Sequence, residues 1–209
     1  MLHCNALPPR VLPVLRELAR VPVLGDHALV GGTALALRYG HRISVDIDLF
    51  STRPMDTDAV TKELETRFGE RFSYRKDQRA KWAVFGFIDE VKVDLIHFPH
   101  PCIAPVEERE GFRMYADADI APMKVQAILH RAKKKDFFDL DLLLRTHGLP
   151  KIMEWHRRKY PDHSIAISIP SAITWFKDAE DSEDPVSLKG QTWAGVKASI
   201  SEAVSDFLR

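Results

Sequence analysis

VGGTALALRYGHRISVDIDLF, residues 30–50, sets a Gly-Gly pair ahead of a short apolar run and closes on Asp46-Ile47-Asp48. HALVGG, which leads into it, reads as a buried strand ending in a glycine turn. TALALRYG reads as a helix that starts at Thr33, capped by the threonine hydroxyl, and stops at Gly40. ISVDIDLF then alternates with period two. Ile43, Val45, Ile47 and Leu49 point one way, and Ser44, Asp46, Asp48 and Phe50 the other.

Two-residue spacing on a strand projects Asp46 and Asp48 from one face with their Cα atoms roughly 6.5–7 Å apart. Carboxylates that close oppose one another's ionisation unless a cation sits between them. Mg²⁺ suits such a pair, because it takes oxygen ligands, keeps several waters and binds through one or two carboxylates plus substrate phosphates. Alone, Asp-x-Asp is the pattern of any strand with a solvated face. Three further features set it apart. Gly31-Gly32-Thr33 opens a helix, and bare N–H groups at a helix N-terminus attract phosphate. Asp94 is a lone acid among Val91, Val93, Leu95 and Ile96, so a neighbouring strand would supply a third carboxylate, as a two-metal phosphoryl-transfer site requires. Lys124 lies on an apolar helix with Arg131 two turns on along the same face, a pair of cations able to neutralise a triphosphate.

The rest of the chain supplies the frame. VLPVLRELARV suits a short amphipathic helix, and residues 56–68 another. WAVFGFI and VKVDLIHF, separated by Asp89-Glu90, have hairpin spacing; HPHPCIAP is a loop by its prolines, and FRMYA reads as an edge strand. From residue 120 to 144 the period is helical, interrupted where three lysines follow Arg131. Later helices are expected over 153–159, 172–176 and 193–208, with the acidic loop DAEDSEDP between the last two. Helix and strand thus alternate up to residue 116 and helices dominate from 117 to 209, giving two portions, a small mixed sheet and a helical one.

Totals narrow the function classes. Thirty basic and thirty acidic side chains cancel, so the 209-residue chain has no overall field to draw nucleic acid or acidic lipid. Cys4 and Cys102 make no disulfide framework and no clustered thiolate site. The N-terminal residues lack a signal-peptide pattern and no run is long enough to span a bilayer, so a cytoplasmic setting without membrane is expected. His97-x-x-His100 sits among prolines and does not read as a metal pair. His41 is expected at the surface, and Trp82 with Phe85 in sheet packing. The cluster of Arg131 with Lys133, Lys134 and Lys135, and that of residues 156–159, read as solvated helix faces, or as RNA-phosphate contacts if both flank the site.

GGTALALRYGHRISVDIDLF resembles the first motif of the nucleotidyltransferase family typified by AbiEii/AbiGii toxins, within the DNA polymerase beta-like superfamily. APMKVQAILHRAKKKDFFDLDLLL is similar to its second motif, here Lys124, Arg131, Lys135, Asp136 and Asp139. VKVDLIHFPHP resembles the segment between them, and residues 160–197 the tail of short members. The resemblance implies an α+β fold, with a polymerase-beta-like core of mixed sheet flanked by helices and a helical C-terminal portion. It implies an Mg²⁺- or Mn²⁺-dependent enzyme that takes an NTP. Asp46, Asp48 and Asp94 would be catalytic metal ligands, Gly31, Gly32 and Thr33 the phosphate turn, and Lys124 and Arg131 the nucleotide's cations. By the same likeness the acceptor would be RNA or tRNA, and a cognate antitoxin the partner in toxin–antitoxin or phage-defence biology. A non-catalytic nucleotide-binding regulator, or a transferase acting on an aminoglycoside-type small molecule, are the rival readings.

In one straight helix Lys124 and Asp139 would stand about 22 Å apart, too far to serve one nucleotide. The helix is therefore expected to break near residues 133–135. Asp136 would cap the second helix and Asp139 would lie in its first turn, either stabilising the helix start or acting in catalysis.

Overall fold

The computed structural model describes residues 1–74, 80–162 and 168–209; residues 163–167 of the tail similarity lie outside it. The described residues fall into two compact units, Met1–Tyr115 and Ala116–Arg209. None of their helices is long and apolar enough to cross a membrane.

The first unit is built on a seven-stranded mixed sheet in the order β3-β4-β5-β2-β1-β7-β6. Its strands are β1 (Ala28–Leu29), β2 (Ile47–Ser51), β3 (Phe72–Tyr74), β4 (Ala83–Ile88), β5 (Val91–His97), β6 (Glu107–Arg109) and β7 (Phe112–Met114). β4 and β5 form the expected hairpin, with Ile88 opposite Val91 and the two linking residues, Asp89 and Glu90, at φ 48° and 63°. Both central residues at positive φ make a turn whose twist matches that of the strands. FRMYA is not an edge strand: β7 lies between β1, its parallel partner, and β6, which forms the edge. The sequence of β6, Glu-Glu-Arg, is charged throughout and gives no period-two apolar signal.

β2 sits in the middle of this sheet because Ile47 and Leu49 need cover on one face. They share that core with Leu29, Val93 and Leu95, all buried. Each such side chain contributes roughly 1.5–3 kcal/mol by leaving water. The helices are α1 (Val11–Leu18), α2 (Gly31–Tyr39) and α3 (Thr57–Phe68). Asp56 caps α3 by accepting from the N–H groups of Asp58 and Ala59.

The second unit is helical: α4 (Asp117–Arg131), α5 (Lys134–His147), α6 (Leu149–Lys159), α7 (Ile169–Ile173) and α8 (Trp193–Leu208). α7 starts earlier than its apolar pattern suggested, because Ser168 accepts from the Ser171 N–H and Pro170 occupies the first turn. α4 ends at Arg131; Ala132 turns left-handed at φ 41°, Lys133 is extended, and α5 begins at Lys134. The expected break is real and falls slightly earlier than residues 133–135.

Candidate active site

The sheet builds the site by register. β2 and β5 run parallel with Asp48 opposite Asp94, so the two carboxylates stand side by side on neighbouring strands. Asp46 lies just before β2. Period-two alternation does not extend back to it: Val45 is 49% exposed and Ser44 is buried. The reason is Thr33. Its hydroxyl does not cap α2, whose N-cap is Val30, but bonds the Ser44 hydroxyl and donates to the Asp46 carbonyl. That pins the approach to β2 in a path that is not a strand.

The glycine pair makes room for charged side chains. Gly31 is at φ 68°, and a methyl added there would come within 2.9 Å of Asp48 Oδ2. A methyl on Gly32 would come within 2.1 Å of an Arg42 terminal nitrogen and 3.2 Å of Ser44 Oγ. Asp48 therefore rests its carboxylate at the N-terminus of α2, where the helix dipole favours an anion. Arg42 is buried over Gly32 and also donates to the Ile43 carbonyl, 2.9 Å away. His41, expected at the surface, is fully buried beside it.

Lys92 is the residue that motif reading missed. It precedes Asp94 by one strand repeat, so both project from the same face, and its ammonium is bonded to Asp94 Oδ2. Burial opposes its charge, but the bond to Asp94 and the fields of Asp94, Asp48 and Asp46 outweigh it and raise the lysine's pKa. The only sequence signal was its place in VKVDLI, as a charge on the face of the lone acid. Asp94 Oδ1 is buried with no hydrogen-bond partner among the described residues.

Among the described residues no three His, Cys, Asp or Glu side chains are gathered as a ready metal cage. What the sheet does present is the aligned carboxylates of Asp48 and Asp94, the latter reachable through Oδ2, where the Lys92 ammonium sits. That set fits Mg²⁺, which binds through one or two carboxylates and completes its shell with water and phosphate.

In the second unit Lys124, Arg131, Asp136 and Asp139 form one ionic network. Lys124 Nζ lies 3.0 Å from Asp136 Oδ1 and 2.6 Å from Asp139 Oδ2, with all three side chains buried. Arg131 clamps Asp136 through Nε at 3.0 Å and a terminal nitrogen at 3.1 Å. Asp136 is thus not the cap of α5; Lys133 takes that position without a side-chain bond, and Asp139 falls in the second turn. Burial works against Asp136's charge, but Lys124 and Arg131 overcome it and hold its carboxyl below the usual range. Lys135 is the second residue of α5. Residues 156–159 are not one solvated face: Lys159 is buried against Asp119 at 2.6 Å, and His156 against Gln126 at 2.8 Å. In the first unit, Trp82 is 52% exposed and meets Phe85 edge-on, rather than being packed into the sheet.

An Asp-bearing central strand, a glycine turn opening a helix on it and a second acid in register on the parallel neighbour define a nucleotidyltransferase core. The family described as nucleotidyl transferase AbiEii toxin, type IV TA system, matches residues 14–207, and the chain belongs to it. It is accordingly a nucleotidyltransferase of a toxin–antitoxin family. The Aquifex aeolicus protein aq_aa25 is 31% identical over 173 residues, covering 80% of this chain and 82% of that one. Among solved structures, MenT4, the nucleotidyltransferase toxin Rv2826c of Mycobacterium tuberculosis, superposes with a TM-score of 0.61 at 14% identity, covering 93% of this chain and 82% of its own. JHP933 of Helicobacter pylori gives 0.56 at 17% identity, covering 95% and 92%. At these identities the two structures speak for the fold.

Proposed function

We propose that the chain transfers a nucleoside monophosphate from an NTP to a hydroxyl of RNA or tRNA, with Asp46, Asp48 and Asp94 holding Mg²⁺ or Mn²⁺. The observation that carries this reading is the register of Asp48 with Asp94 beside the N-terminus of α2. The metal, when bound, supplies Lewis-acid compensation of phosphate charge. The chain's own residues do the positioning. Thr33 fixes Asp46 through its carbonyl, and Gly31 and Gly32 leave the space that Asp48 and Arg42 occupy at the start of α2. Within the second unit Lys124 and Arg131, held by Asp136 and Asp139, keep the role of nucleotide cations in this reading, with Asp139 a positioning residue. The acceptor hydroxyl attacks the α-phosphorus, the bond from that phosphorus to the bridging oxygen breaks and pyrophosphate leaves, so positioning and electrostatics are the main source of rate. The setting is cytoplasmic, where NTP, RNA and a cognate antitoxin meet, and the biology is toxin–antitoxin or phage defence.

The test is purified protein with α-³²P-labelled NTPs, Mg²⁺ and total RNA. Label in the RNA fraction that Asp48→Ala abolishes is the expected result. Label only in small molecules would move the acceptor to an aminoglycoside-type compound. NTP binding without transfer to any acceptor would leave a regulator on the same scaffold.

A further inference from the structure

Lys92 has an unusual position for a surface lysine. Its stem rises from β5 on the carboxylate face, its ammonium is bonded to Asp94, and the next strand presents Asp48 in register. Asp94 Oδ1 is closed off from solvent, so a cation arriving from solvent meets Asp94 through Oδ2, the oxygen Lys92 holds. A divalent cation on that oxygen and the ammonium bonded to it would stand close enough to repel one another. Yet the lysine side chain is 45% exposed, which leaves its flexible four-carbon stem an open route outward.

We propose that Lys92 is a resident counter-ion of the carboxylate site, displaced by the incoming divalent cation and then free to bind a nucleotide phosphate. This rests on the metal-binding reading of Asp48 and Asp94 given above. In the metal-free protein the ammonium offsets the mutual repulsion of the acids and keeps Asp48 and Asp94 aligned. When the cation takes over that task, the released ammonium is within one side-chain length of the same carboxylates. A phosphate bound there gains a second positive partner. Lys92 thus couples metal binding to nucleotide capture.

The experiment is calorimetric titration of the full chain with Mn²⁺ alone, and then of the Mn²⁺-loaded chain with a non-hydrolysable NTP. It uses wild type, Lys92→Met, Lys92→Arg and Asp48→Asn, with melting curves in EDTA to confirm folding. Lys92→Met is expected to bind Mn²⁺ about tenfold more tightly than wild type and the nucleotide analogue more weakly, a coupling of ordinary size. Lys92→Arg, which keeps the charge, is expected to retain the weaker Mn²⁺ affinity. If Asp48→Asn abolishes Mn²⁺ binding while Lys92→Met binds it no more tightly than wild type, Lys92 is a surface ion pair and the proposal is overturned. If Asp48→Asn leaves Mn²⁺ binding intact, or wild type binds none, the metal site itself is misread and the proposal falls with it.

Discussion

Lys124 Nζ lies 2.6 Å from Asp139 Oδ2, a contact that exists only because the chain breaks at Ala132 and Lys133 and α5 returns toward α4. One lysine thereby serves two buried acids, and removing it leaves Asp136 to Arg131 and takes from Asp139 its 2.6 Å ion pair. Lys124→Met is expected to cost about 3–5 kcal/mol, the usual penalty for orphaning a buried charge. Urea unfolding measures it. The double variant Lys124→Met/Asp139→Leu should lose clearly less than the sum of the two single changes. Additive losses would mean that the two residues are not energetically coupled.

His27 supplies a pH dependence of its own. Burial drives its pKa down to about 4 against a smaller opposing field from Asp26, and neither ring nitrogen has a partner among the described residues. The imidazole lines a cavity of about 170 Å³ with Leu15, Leu24, Leu29 and Leu49. Because its folded pKa is depressed below the unfolded value, the neutral form's stability is fully present above pH 6.5. It is lost as the pH falls toward 4, for a total of roughly 3 kcal/mol. Asp136, also depressed, adds its own loss only at lower pH, below the ordinary carboxylate value. Stability measured by urea at pH 7 and pH 4.5 should drop for wild type and drop much less for His27→Leu. An equal drop in both would assign the acid sensitivity elsewhere.

The sheet was legible where residues carry a strong period or turn. Val91 to Leu95 and the Asp89-Glu90 turn marked a hairpin, and Asp46-Ile47-Asp48 marked the strand that β5 would join. The second motif was legible through distance alone, since Lys124 and Asp139 could not meet without a break. What sequence could not give is side-chain reach across space. Arg42 settles over Gly32, His41 is buried and Thr33 turns from cap to tether because of how α2 packs on the approach to β2. Asp136 looked like a cap from its place after three lysines, but two cations claim its carboxylate from a different helix turn. Lys92 belongs to no motif, and only register sets Asp48 beside its partner Asp94.

The β4–β5 turn stores avoidable strain. Glu90 sits at φ 63°, a conformation natural for glycine and costly for a side chain, and its pairing with Arg10 at 3.1 Å is solvent-exposed. Asp89 is different, because its carboxylate holds Arg71 at 2.6 Å, and it should be kept. Glu90→Gly is expected to raise stability by roughly 0.5–1 kcal/mol with no effect on metal binding. A thermal melt and a Mn²⁺ titration check both halves. A loss of stability would show that the Arg10 contact outweighs the turn strain.

Gly31 and Gly32 differ in what a methyl would meet, so their alanine variants separate two roles. At Gly31 the backbone is at φ 68° and the methyl faces Asp48 Oδ2 at 2.9 Å. Strain of about 1–2 kcal/mol combines with displacement of the carboxylate. At Gly32 the obstacle is the end of the Arg42 side chain, 2.1 Å away, with the Ser44 hydroxyl at 3.2 Å. Relief there requires a buried arginine to leave its place, which costs stability without pushing Asp48 directly. Gly31→Ala is therefore expected to weaken Mn²⁺ binding by about tenfold or more, since a one-ångström misplacement at a built site is costly. Gly32→Ala should lower the melting temperature while changing Mn²⁺ affinity far less. Calorimetry and melting curves on the two variants read these effects side by side, and equal losses of Mn²⁺ affinity would mean that Arg42, not the Gly31 gap, sets the position of Asp48.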